Sequence, residues 1–155
     1  MDPLSITVSA AALAQLAFSI AQAISSGVDG VRNVDSKLQA FAKEISSLAE
    51  ALSMIENAFQ DPQLNRMETE PQAGGDHASK ILHRLRRILR DCKDTLSKLD
   101  TLIDEAKSKS SRLPVLRRAK AALELKFKSS DIAFIRTQIQ SYNSVMQMTL
   151  CMLNV

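Results

Sequence analysis

Few side chains in this sequence have the types and spacing that catalysis requires. Its two histidines, His77 and His83, could ligate a metal, but they lie six positions apart with no cysteine or carboxylate set at ligand spacing. Cys92 and Cys151 form no CxxC pair and are both expected to be core thiols, and no nucleophile has an identifiable base beside it. The P-loop, GxGxxG, HExxH and GxSxG motifs are absent. We therefore expect no enzyme activity, no metal and no cofactor.

The charged residues form a more distinctive pattern, in a long helix predicted over about 78–109. Its first half is cationic and its second half is acidic, which is the order that opposes the helix dipole. The cationic positions of the predicted patch are Lys80, Arg84, Arg86, Arg87 and Arg90. Two interpretations stay open: the patch contacts lipid phosphates or an acidic partner, or it is a solvated face tied by i,i+4 pairs such as Arg87 with Asp91.

Nucleic-acid binding is not expected. The chain has 155 residues and a net charge of only +3, and it contains no tryptophan and one tyrosine. Its cations are not interleaved with aromatic residues and match no reading motif. The composition is poor in glycine, proline and aromatic residues, which favours an all-α fold in a single domain, residues 1–155.

The helices that position these charges begin with an uncharged segment, residues 3–28. Asp2 and Pro3 predict a helix start, and Gly27 predicts its end. Apolar residues recur at spacings of four and three, as expected for a helix packed against other helices. These positions are Ile6, Ala10, Leu13, Ala17, Ile20 and Ile24. A further side of the helix is also apolar or alanine, at Leu4, Val8, Ala11, Phe18 and Ala21.

Two roles are open for this first helix. It is either the central helix of a bundle, buried nearly all round, or a conditional membrane segment that is packed in the soluble state and released on activation. Some 24 helical residues span roughly 36 Å, enough to cross a hydrocarbon core of about 30 Å. No basic residue precedes Arg32, so we expect neither a cleaved signal peptide nor secretion.

Further apolar repeats predict the remaining helices. The clearest has alternating spacings of three and four, at Leu38, Phe41, Ile45, Leu48, Leu52, Ile55 and Phe59. Asp61-Pro62, Pro71 and Gly74-Gly75 then predict a loop over about 60–76, either mobile and functional or a plain connection. The long helix at 78–109 is predicted to be followed by a short helix at 115–128 and a final helix at 131–153. The sequence thus predicts an up-and-down four-helix bundle with an additional short helix between the third and last long helices.

Three stretches of the chain resemble a known family. They are MDPLSITVSAAALAQLAFSIAQAI, KLQAFAKEISSLAEALSMIENAF and KAALELKFKSSDIAFIRTQIQSYNSVMQMTL. Together they look like the N-terminal effector domain of fungal STAND/NLR-type receptors, in the group that includes the HeLo-like cell-death domains. The most specific parts are the Met-Asp-Pro-Leu start and the run Gln140-Ser141-Tyr142-Asn143-Ser144.

This resemblance implies a cytoplasmic effector that moves to the plasma membrane, where oligomerisation releases the first helix into lipid. The residues expected to insert are Leu4, Ile6, Leu13, Leu16, Phe18, Ile20 and Ile24, with Lys80, Arg84, Arg86, Arg87 and Arg90 meeting anionic lipid. The implied partners are membrane lipids, other copies of the chain and a downstream nucleotide-binding module. The alternative is a non-lytic protein–protein interaction bundle whose apolar first and last helices form the interface.

Overall fold

Four long helices and one short helix make up the described part of the chain. The computed structural model describes residues 6–28, 36–69, 75–108 and 130–153. The helices are α1 (Ile6–Val28), α2 (Ser36–Ala58), α3 (Pro62–Thr69), α4 (Gly75–Ser108) and α5 (Ser130–Met152). These residues contain no strand, so the predicted all-α class is confirmed.

The four long helices enclose one apolar core. Helix α1 packs against α2 and α4, and α5 packs against the same two helices from the other side. Thr95 of α4 meets Tyr142 of α5, whereas Leu102 of α4 lines a groove with Phe134 of α5. Since later positions of α4 face earlier positions of α5, these two helices run antiparallel.

The apolar repeats form the core where the sequence predicted it. Every residue of the predicted α1 repeat is buried, and so is every residue of the α2 repeat from Leu38 to Phe59. In α5 the buried positions alternate at spacings of three and four as well, at Ile132, Ile135, Ile139, Tyr142, Met146 and Thr149. This alternation keeps one stripe of a helix facing its neighbours over several turns.

The buried stripe of α4 differs from the predicted one at two positions. The sequence predicts a seam through Ile81 and Ile88 that Leu82 and Leu89 reinforce. In the structure Leu82 and Leu89 are buried, whereas Ile81 and Ile88 are only partly buried. The observed stripe again alternates spacings of three and four, at Leu82, Leu85, Leu89, Cys92, Leu96, Leu99 and Ile103.

The loop predicted over about 60–76 is wrong in its first half, because that half contains α3. The carboxylate Oδ1 of Asp61 accepts a hydrogen bond from the backbone N–H of Gln63 at 2.9 Å, which caps the helix. Pro62 occupies the first helical position, where its missing N–H costs nothing. The Asp-Pro pair therefore starts a helix here, and α4 begins at Gly75 rather than near residue 78.

Some predictions fall on other parts of the chain. The predicted short helix at 115–128 lies outside the described residues, as do Leu4 and the predicted start at Asp2 and Pro3.

Candidate functional site

Helix α1 divides the predicted membrane-inserting residues between the core and the surface. Ile6, Leu13, Ile20 and Ile24 are buried in the bundle, and Leu16 is partly buried against it. Phe18 is 53% exposed and Val8 is 51% exposed. Both belong to the further apolar side of the helix named in the sequence analysis. The expectation of a helix buried nearly all round is therefore wrong for these two positions. Most of the insertion set can meet lipid only if α1 leaves the core.

The exposed surface of α1 carries no charge. Its exposed residues from Val8 to Ser25 are apolar, hydroxyl-bearing or amide side chains: Val8, Ala12, Gln15, Phe18, Ser19, Gln22 and Ser25. The stretch Ile6–Ser25 is the one part of the described chain that is long and apolar enough to cross a membrane by length and composition. Core helices of soluble proteins pass the same test, and the burial of Ile6, Ile20 and Ile24 shows that α1 also serves as one.

The predicted cationic patch falls on two different sides of α4. Lys80, Arg84 and Arg87 follow one another at helical spacing and are exposed. Arg86 and Arg90 belong to a second line, roughly 110° away around the helix, that turns toward α1. Arg86 is partly buried and Arg90 is exposed. The structure therefore separates residues that the sequence grouped as one surface.

A groove between α1 and α4 brings the second line of cations to the surface of α1. We call it the α1–α4 groove; its volume is about 350 Å³. Its apolar floor is formed by buried and partly buried residues, Ile6, Leu13, Leu16 and Leu89, and the exposed Val8 and Ala12 line its α1 side. Its α4 side is formed by Arg86, Arg90, Lys93 and Ser97, and its lining contains no carboxylate. Lys93 lines the groove although it is not one of the predicted patch residues.

A polar connection joins α2 to α5 on the other side of the bundle. Arg136 donates two hydrogen bonds to the carboxylate of Glu44, from Nε and Nη2, each at 3.2 Å. Gln140 Nε2 donates to the same carboxylate at 3.0 Å, and Asn143 Nδ2 donates to the backbone carbonyl of Glu44 at 2.9 Å. Glu44 lies off the apolar repeat of α2, a position that predicts a solvated side chain, but it is partly buried between two helices. No signal in the sequence pairs residues 44 and 136.

The two cysteines occupy opposite environments. Cys92 is fully buried on the core stripe of α4, as predicted, and burial raises its pKa from 9.0 to about 12. Cys151 was expected in the core as well, but it is exposed near the end of α5. Met148 and Met152 are exposed beside it, whereas Leu150 is buried. The last turns of α5 thus place Met146 and Leu150 in the core and leave an apolar strip on the surface.

The described residues offer no group for metal binding. Within residues 6–28, 36–69, 75–108 and 130–153, no three histidine, cysteine or acidic side chains come together in a way that could hold an ion. Two further grooves are each lined by a single charged residue. One, between α4 and α5, includes Lys98 and Phe134 and has a volume of about 480 Å³; the other, between α1 and α2, includes Phe18 and Glu56. The α1–α4 groove is the one that combines an apolar floor with several cations.

Comparison with known proteins gives one match along the whole chain. The family described as pigment biosynthesis cluster protein PigL N-terminal matches residues 1–155. This match confirms the coarser part of the predicted resemblance, an N-terminal domain of a fungal protein in the HeLo-like group. No curated protein and no solved structure matches the chain.

Proposed function

The chain belongs to the PigL N-terminal family over residues 1–155, and from this premise we propose that it is a signalling and effector domain of an NLR-like fungal protein. In this proposal the domain resides in the cytoplasm, self-associates on activation and moves to the plasma membrane. There α1 leaves the bundle, enters lipid and causes regulated cell death. A downstream nucleotide-binding module would supply the trigger. The domain acts by association and not by catalysis.

One observation carries this proposal: α1 contributes both to the core and to an uncharged surface. The exposed faces of α2 and α4 carry charged residues such as Lys43 and Lys80, whereas the exposed face of α1 carries none. A helix without charge on any described side has no ionic group to desolvate when it moves into a bilayer. Charged side chains at the centre of a membrane are costly, and α1 avoids that cost.

The burial of α1 explains why membrane entry would need a trigger. Burying one large aliphatic side chain stabilises a fold by about 1.5–3 kcal/mol. Ile6, Leu13, Ile20 and Ile24 together therefore hold α1 in place by on the order of 6–12 kcal/mol in water. Spontaneous release would be rare, since it would expose these side chains. A bilayer or an oligomer that covers them again removes this penalty.

The cations of α4 support an approach to anionic lipid before release. Lys80, Arg84 and Arg87 form an exposed basic line, and each such residue near an anionic surface contributes about 1 kcal/mol of attraction. This attraction is screened by salt. The proposal therefore includes a first, salt-sensitive contact through α4 and a second, salt-insensitive step through α1.

Dye release from anionic liposomes tests the proposal, with variants that leave the core intact. Phe18→Glu adds a charge to the exposed face of α1, and Phe134→Glu adds the same charge to a residue of α5 that is 63% exposed. We expect both proteins to keep the helical signal of the wild type in circular dichroism. Phe18→Glu should lower the rate of dye release at least about tenfold, because a buried membrane charge costs about 2.5–3.5 kcal/mol, whereas Phe134→Glu should not.

The absence of dye release would favour the second candidate function, a non-lytic interaction bundle. A specific observation supports that candidate: Phe134, Met148 and Met152 are exposed on one side of α5. Exposed apolar residues of this kind mark protein contact surfaces when they are contiguous. If wild-type protein releases no dye while Phe134→Glu abolishes self-association measured by sedimentation, the interaction bundle replaces the membrane effector.

A further inference from the structure

The α1–α4 groove has the shape of a site for one extended chain. The α1 residues that line it run from Ile6 to Leu16, and the α4 residues run from Arg86 to Ser97. At about 1.5 Å per residue, each side of the groove is roughly 15 Å long. Its volume of about 350 Å³ lies at the lower end of the range for small-molecule sites, about 300–1,000 Å³. The groove is therefore long and narrow.

These dimensions argue against another helix as the occupant. Helices that pack directly lie about 8–10 Å apart, so the furrow between α1 and α4 is narrower than an α-helix with its side chains, about 10–12 Å across. The backbone of a docked helix would therefore stay outside the groove, and only its side chains would enter. A single hydrocarbon chain would reach the floor, and small residues such as Ser9 and Ala12 leave room for close approach.

The charges of the groove select an anionic head group. Arg86, Arg90 and Lys93 follow one another at spacings of four and three, so they lie along the same rim of α4. The α1 rim contributes hydroxyl and methyl groups and no carboxylate. A ligand with a carboxylate or sulfate at the end of an apolar chain would match both the rim and the floor. Arginine and lysine bind such groups through charge-assisted hydrogen bonds.

We propose that the α1–α4 groove binds a single-chain anionic amphiphile, with a fatty-acid carboxylate as the chemical class. The chain lies along the apolar floor, and the carboxylate is held by Arg90 and Lys93 at the exposed rim. Because the ligand contacts α1 and α4 together, binding holds α1 in the bundle and opposes its release. The binding rests on the groove alone; only this regulatory consequence rests on the proposed function.

Titration of the protein with dodecanoate, below the concentration at which it forms micelles, tests the proposal by calorimetry. We expect saturable binding of one molecule per chain and a rise in the melting temperature, because the ligand stabilises the folded state. The double variant R90Q/K93Q should bind at least about tenfold more weakly, because it loses the charge-assisted hydrogen bonds to the carboxylate. The control R84Q/K98Q removes the same charge from exposed positions of α4 outside the groove and should bind like the wild type.

A second pair of variants tests the apolar lining of the groove. Ala12→Phe fills the groove and should abolish binding, whereas Gln15→Phe adds the same ring on another exposed part of α1 and should not. Dodecanol and acetate, which lack the charge and the chain respectively, should each bind much more weakly than dodecanoate.

Several outcomes would overturn the inference. These are no binding of dodecanoate, equal weakening in both charge variants, or unchanged binding in a folded Ala12→Phe protein. The calorimetry contains no membrane, so a negative result there is independent of the result of the liposome experiment. Loss of dye release with intact dodecanoate binding would remove the proposed function and leave the ligand site.

Discussion

The hydroxyl groups of Thr95 on α4 and Tyr142 on α5 lie 2.9 Å apart and form a buried hydrogen bond. Thr95 also donates to the side-chain oxygen of Gln138 at 3.2 Å, so the Tyr142 hydroxyl acts as donor to Thr95. This short chain of hydrogen bonds satisfies a buried polar residue in the middle of an apolar stripe. It fixes how α4 and α5 sit against each other along their length.

The two partners of this hydrogen bond should differ in the cost of their removal. Tyr142→Phe leaves Thr95 with its bond to Gln138, so we expect a loss of about 0.5–1.5 kcal/mol in the free energy of unfolding. Thr95→Val leaves the Tyr142 hydroxyl without its acceptor and should cost about 1–3 kcal/mol. Urea unfolding measures both values. A larger loss for Tyr142→Phe than for Thr95→Val would contradict this assignment of donor and acceptor.

Glu44 and Arg136 should show measurable coupling between α2 and α5. Their double hydrogen bond is partly buried, with side chains 23% and 31% exposed. A double-mutant cycle with Glu44→Gln and Arg136→Met should therefore give a coupling energy of about 0.5–1 kcal/mol, which is typical of such pairs. The measurement is urea unfolding at low and at high salt. A coupling near zero at low salt would show that the pair contributes nothing to helix packing.

Cys92 should make the fold sensitive to alkaline pH. Burial raises the pKa of its thiol from 9.0 to about 12, so between these values the folded protein keeps a proton that the unfolded chain has lost. The neutral thiol makes its full contribution to the free energy of unfolding below pH 9. As the pH rises from 9 toward 12, the free energy of unfolding falls by about 1.4 kcal/mol per pH unit. Cys92→Ala removes this dependence. Unfolding free energies at pH 8.5 and 10.5 should fall less in the variant than in the wild type, and parallel curves would refute the assignment.

The two thiols should react at different rates in the folded protein. Cys151 is exposed, whereas Cys92 is fully buried. A thiol reagent such as Ellman's reagent should therefore modify one cysteine per chain rapidly and the second only after unfolding. Cys151→Ser should abolish the rapid phase. A rapid phase that survives in Cys151→Ser would place Cys92 within reach of solvent.

Loosening α1 should increase membrane activity if the release step is correct. Ile20 on α1 and Ile139 on α5 are both fully buried, and replacement of either by valine should cost about 0.5–1.5 kcal/mol. Ile20→Val weakens the contacts that retain α1, so it should lower the protein concentration needed for dye release. Ile139→Val is the matched control and should change the concentration much less. If both variants lower the concentration equally, dye release follows from global unfolding and not from the release of α1.

The sequence by itself determined the four long helices and most of the core. Alternating spacings of three and four place one stripe of each helix on a single side, so the repeats of α1, α2 and α5 could be assigned without coordinates. The absence of charge from residues 3–28 likewise marked α1 before its environment was known. An Asp-Pro pair also indicates a helix start. It predicted one at Asp2 and Pro3, and the same pair at Asp61 and Pro62 starts α3, where the sequence analysis predicted a loop.

Only the tertiary structure decided what flanks each buried stripe. Periodicity gives the direction of the core but not which neighbour covers its edges, so Arg90 faces α1 while Arg87 faces solvent, and Cys151 is exposed while Leu150 is buried. Residues 92 positions apart, such as Glu44 and Arg136, meet because α2 and α5 pack together. Contacts of this kind depend on how helices are arranged around the core, and the spacing of residues within one helix carries no information about that arrangement.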